Sequence, residues 1–100
     1  MVIVLEQVLF KENKSIEQVK TIILSTYFFN TQYKVGNVQV SKCDNMYDGF
    51  FRYVVHFEIN NVTENDYQEV METLSVAQIK YNETHSDAFY LLTFPSMKLI

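Results

Sequence analysis

One hundred residues, 48% of them apolar and 15% aromatic (all Tyr and Phe), describe one packed domain spanning residues 1–100 and exclude a disordered segment. The net charge of −4 is unevenly placed: residues 1–42 carry five Lys against three Glu, and residues 43–100 carry three basic against nine acidic side chains. A phosphate backbone rewards clustered Lys and Arg, so this balance argues against nucleic acid and admits a basic protein partner. No apolar run approaches the ~20 residues that a bilayer span needs, so no membrane partner is expected. The opening Met1–Phe10 carries Glu6 and no basic run, unlike a signal peptide, and the single Cys43 cannot close an intramolecular disulfide. A reducing, cytoplasmic setting is expected.

Val2 to Phe10 is rich in β-branched and large apolar residues on both faces, which predicts a central strand. After the polar Lys11-Glu12-Asn13-Lys14, Ser15 followed by Gln18 has the spacing of a capping box. Ile16, Val19, Ile22, Ile23 and Tyr27 then recur at helical spacing, predicting a first helix to about Phe29. Tyr33 to Ser41 reads as a second strand, with Gly36-Asn37 breaking its phase as a bulge would. In the third, Phe51, Tyr53, Val55, Phe57 and Ile59 take one face while Arg52, His56 and Glu58 take the other. The intervening Cys43 to Gly49 is longer than a two-residue hairpin turn requires.

A second helix is expected to be capped by Thr63, with Glu64 and Asp66 near its positive dipole end and Val62 stapled onto Tyr67. Tyr67, Val70, Met71 and Leu74 form its predicted buried stripe. The remainder reads as two strands, Ala77 to Asn82 and Ala88 to Phe94, joined by Glu83–Asp87 and ended by Pro95; the first could instead be a connector. The order predicts an α+β domain: an antiparallel β-sheet with two helices on one face, in the ferredoxin-like βαββαβ arrangement with room for one extra C-terminal strand. Tyr53, Val55, Phe57, Ile23, Val70 and Leu74 should pack together as its core.

Cys43 with His56 or His85 lacks the local signature of a nucleophilic pair, and Cys43, Asp44, His56 and His85 lack metal-ligand spacing. His85-Ser86-Asp87 contains the residue types of a hydrolase triad, but sequence neighbours point their side chains apart and read as a solvated turn. The third strand shares the Gly-aromatic step of an RNA-recognition motif at Gly49-Phe50. Asp48, however, stands where that motif has a basic residue, and Phe51 where it has a small one. Gly36 and Gly49 are too far apart for a phosphate loop.

No cofactor, metal or catalytic residue is therefore assigned. The expected function is that of a small non-enzymatic interaction or regulatory protein that acts by binding a protein partner, and the charge balance admits a basic one. Its expected contact surfaces are the segment holding Asp44, Met46, Tyr47 and Asp48, where a flexible Met adjoins a rigid aromatic, and the acidic second helix with Glu64, Glu69 and Glu72. The alternative is a small-ligand-binding regulatory domain that forms a homodimer through its sheet.

Overall fold

The computed structural model describes residues 2–27, 33–86, 88–91 and 96–98. Its central strand is β1, Val2–Phe10, which pairs antiparallel with β3, Phe51–Ile59, on one side. On the other side it pairs with two short strands in line, β4, Phe89–Leu91, and β5, Ser96–Lys98. The β1–β3 register slips between Leu5 and Val8, and the slip has a use. Side chains alternate along a strand, so Ile3 and Leu5 could not share a face with Val8 and Phe10 without an irregularity at Glu6-Gln7. With it, all four enter the same core. The in-between residues Val4 and Leu9 face the other side of the sheet, opposite His56 and Arg52, and are also buried.

The second strand, β2, Val35–Lys42, pairs with the far edge of β3 and completes an antiparallel sheet in the order β2-β3-β1-β4. Its register shifts between Gly36 and Gln39, and Asn37 takes a φ of 49°, so the predicted bulge is present. Across β3 the alternation holds throughout: Tyr53, Val55, Phe57 and Ile59 are buried, while Arg52, His56 and Glu58 are half-buried on the opposite face.

Helix α1, Ile16–Tyr27, opens on the predicted capping box. The Ser15 N–H donates to Gln18 Oε1 at 2.8 Å and the Gln18 N–H donates to Ser15 Oγ at 3.1 Å. Just before it, the Tyr53 hydroxyl accepts the Lys14 N–H at 2.8 Å and donates to the Lys14 carbonyl at 2.5 Å, tying the β1–α1 connection to the sheet. The predicted end at Phe29 lies outside the described residues.

Helix α2, Tyr67–Thr84, follows a 3₁₀ turn over Glu64–Asp66. Here the Asp66 carboxylate accepts both the Thr63 backbone N–H at 2.9 Å and the Thr63 hydroxyl at 3.2 Å. Two sequence expectations are corrected. Ala77 to Asn82 is neither strand nor connector but the last turns of α2, because Val70, Leu74, Ala77 and Tyr81 continue one buried helical stripe. Tyr67 lies off that stripe and is exposed.

Both helices pack on one face of the sheet, since Val19, Ile22, Ile23 and Tyr27 of α1 share a single core with the α2 stripe and with Phe57 and Phe89. Tyr27 stacks on Phe57 with ring centroids 5.5 Å apart and meets Phe89 edge-on at 6.4 Å. The architecture is α+β, an antiparallel sheet with two helices. Of the strand predicted over Ala88 to Phe94, Phe89–Leu91 is present as β4 and residues 92–94 lie outside the described residues, as does Pro95; β5, Ser96–Lys98, falls past the predicted end at Pro95 and was not among the expected strands.

Candidate functional site

Strand β4 lies at the sheet edge, where unpaired backbone groups invite another strand. At Phe89 they are occupied from within the chain. Asn82 on α2 presents its carboxamide as a strand would: Oδ1 accepts the Phe89 N–H at 3.2 Å and Nδ2 donates to the Phe89 carbonyl at 2.8 Å. Gln78 Nε2 adds a donor to that carbonyl at 3.2 Å, while Gln78 Oε1 accepts the Tyr27 hydroxyl at 3.4 Å. These amides fix the distance between α2 and the sheet edge. Beside them runs a groove of about 1080 Å³, lined by Tyr67, Met71, Val76 and Ile79 of α2 and by Tyr90 and Leu91 of β4, with Glu72 at its margin.

The groove exists because α2 carries apolar residues on more than one face. At about 100° of rotation per residue, Tyr67 and Met71 lie on the flank of the buried stripe toward the groove, and Ile79 and Glu72 lie nearly opposite it. Tyr67 remains 38% exposed, Val76 51% and Ile79 56%, and Tyr90 on the neighbouring strand is 45% exposed. Scattered exposed apolar residues are ordinary; a contiguous set along one groove marks a surface for something else.

The hairpin between β2 and β3 differs from its sequence reading. Tyr47 and Phe50 exchange two backbone hydrogen bonds, Tyr47 N–H to Phe50 C=O at 2.9 Å and Phe50 N–H to Tyr47 C=O at 2.8 Å. Asp48 and Gly49 between them both take positive φ, 47° and 83°, as a two-residue hairpin turn of the primed type requires. The reversal is therefore made by Asp48-Gly49, and the extra length is an excursion of Asp44-Asn45-Met46. The Cys43 N–H donates to the Arg52 carbonyl at 2.9 Å behind it. Arg52 holds the excursion, with Nε donating to the Asn45 carbonyl at 2.9 Å and Nη1 to Gln7 Oε1 at 3.3 Å.

Of the residues the sequence singled out, Asp44, Met46, Tyr47 and Asp48 are exposed at this hairpin tip, with Met46 51% and Tyr47 43% accessible. Glu64, Glu69 and Glu72 are exposed as well. Glu72 borders the groove, whereas Glu64 stands before the start of a helix about 27 Å long. The two surfaces approach each other at Tyr90, a residue that lines the groove from the sheet edge and, in register with Leu9, sets its ring edge-on to Phe50 at 6.1 Å. Val76, Ile79 and Tyr90 were not singled out from the sequence, and Met71 was expected only in the buried stripe, where it packs half-buried against the core.

Cys43 is half-buried and free. His85 stacks on Tyr81 with centroids 3.9 Å apart, and its N–H caps the last turn of α2 on the Tyr81 carbonyl. Among the described residues no three His, Cys, Asp or Glu side chains gather as metal ligands, and no helix is long and apolar enough to cross a membrane. Burial raises the Tyr27 phenol well above its ordinary value; burial also raises Tyr53, opposed by its hydrogen bond to the Lys14 backbone. No protein family, curated protein or solved structure matches this chain, so its site rests on its own geometry.

Proposed function

We propose that this chain is a non-enzymatic interaction protein that acts by binding a partner protein, and that the groove along α2 is its principal contact surface. The observation that carries the proposal is the apolar surface that α2 keeps outside its buried stripe, where Ile79 and Val76 on its outer side and Tyr67 on its flank stay exposed along one groove although four other side chains already fill the helix's place in the core. Large aromatic and aliphatic side chains gathered in a groove are the usual anchors of a protein interface. The hairpin tip, with Met46 and Tyr47, extends that surface past Tyr90.

We read the architecture as ferredoxin-like, a reading supported by the position of β1 between β3 and β4 and by two helices on one sheet face. Folds of this kind host unrelated activities, so the functional weight stays on the groove. A cytoplasmic setting fits the lone, unbridged Cys43.

The test is affinity capture from the source cells with tagged wild-type chain and with a Met71→Asp/Ile79→Asp variant checked for an unchanged circular dichroism spectrum. A partner retained by the wild type and lost by the folded variant is the expected result. Equal retention by both would move the contact surface away from α2.

A further inference from the structure

We infer that the segment seated in this groove is a cationic amphipathic helix of the partner, lying along α2; the inference rests on the docking role proposed above. Three features select that occupant over others.

The first is charge. From Glu64 to Thr84 the chain carries Glu64, Asp66, Glu69, Glu72 and Glu83 against Lys80, so the excess negative charge of the molecule is concentrated on this one helix and its leading turn. All of these but the half-buried Asp66 are exposed. Glu72 lines the groove, and Glu69 and Glu83 lie beyond it on the outer side of α2, so this side of the groove favours Lys and Arg on a partner and repels an acidic one.

The second is length. The lining residues run from Tyr67 to Asn82 along the helix, about 22 Å at 1.5 Å per residue, which matches about four turns of a partner helix. A volume of about 1080 Å³ lies at the upper end of what a single small ligand fills.

The third is the state of the sheet edge. An extended peptide gains its affinity by pairing with free backbone groups, yet at Phe89 both the N–H and the carbonyl are held by Asn82 and Gln78. A helix satisfies its own backbone and asks the groove only for apolar contact and flanking charge. Apolar anchors at i, i+3 or i+4 and i+7 would meet Met71, Ile79 and Leu91, with basic residues reaching Glu72 in the groove and Glu69 and Glu83 beyond it.

The probe is a random peptide library displayed on phage, each peptide about 16 residues long to match four turns, selected against immobilised full-length chain. Recovered peptides are expected to share helical apolar spacing with Lys or Arg on the flanks. Synthesised and labelled, they should bind at least about 10-fold more weakly to Ile79→Asp and about 3-fold or more weakly to Glu72→Lys, and lose affinity as salt is raised. Both variants change exposed side chains, and each is used only if its urea midpoint matches the wild type. Peptides that are acidic, or whose apolar residues alternate as in a strand, yet still depend on Ile79, would overturn the partner class while leaving the groove as a docking surface. Enrichment no greater on wild type than on Ile79→Asp would sink both readings. A concentration-dependent dimer that Ile79→Asp dissociates would assign the groove to a second copy of this chain instead.

Discussion

Helix α1 and helix α2 lie on the same face of the same sheet, yet their apolar residues do different things. Those of α1 form one buried stripe, Val19, Ile22, Ile23 and Tyr27, with Leu24 half-buried beside it and Ile16 exposed in the first turn. Those of α2 form two sets. Val70, Leu74, Ala77 and Tyr81 enter the core, and Tyr67, Val76 and Ile79 remain in contact with solvent. Packing alone accounts for α1. It leaves Val76 and Ile79 of α2 unexplained, and apolar residues that the core does not use are where function is most directly sought.

That contrast can be broken at the shared core. Phe57 is fully buried and stacked on Tyr27, so Phe57→Ala is expected to cost about 3–5 kcal/mol, a large fraction of a small domain's stability. A melting temperature within a degree or two of wild type would mean that the helix-covered face has been assigned wrongly.

A smaller effect is expected where α2 meets the sheet edge. Asn82→Ala removes the side-chain acceptor of the Phe89 N–H and one of the two side-chain donors to its carbonyl, and should destabilise by about 1–3 kcal/mol in urea titration. It also exposes an edge, so added self-association on sizing columns should accompany the loss. An unchanged midpoint and an unchanged elution volume would show that α2 does not guard β4.

The α1 side can be sharpened with pH. The Tyr27 phenol is buried and raised above the ordinary value of about 10, so the folded chain holds this proton more tightly than the unfolded chain does. Below pH ~10 both states are protonated and the contribution is constant; above it the unfolded chain ionises first and stability falls. Tyr27→Phe should make that alkaline decline shallower. An identical slope in the variant would place the titrating group elsewhere.

Much of this was legible in the sequence, and the failures have a physical cause. Ser15 and Gln18 announced the start of α1 because a capping box is local chemistry, and Phe51 to Ile59 announced β3 because strict alternation leaves one dry face. The central role of β1 was readable from its two apolar faces, though not the slip at Glu6-Gln7 that brings Val8 and Phe10 into phase. Asp48-Gly49 is a strong hairpin signal that the length of the segment obscured, since the Asp44-Asn45-Met46 excursion depends on Arg52 reaching Asn45 from the next strand.

The end of α2 was misread for an instructive reason. Ala77, Ile79 and Tyr81 alternate like a strand only because Ile79 is apolar where a helix with one buried face would be polar. The side chain that misled the periodicity is the one that lines the groove.

The most direct measurement on the contrast between the helices is therefore the urea unfolding of a Val76→Asp/Ile79→Asp double variant. If the second apolar face of α2 serves a partner and not the fold, its midpoint and slope should give a stability within about 0.5 kcal/mol of wild type, as for surface substitutions generally. A loss of about 2 kcal/mol or more would put those side chains in the core and contradict the account.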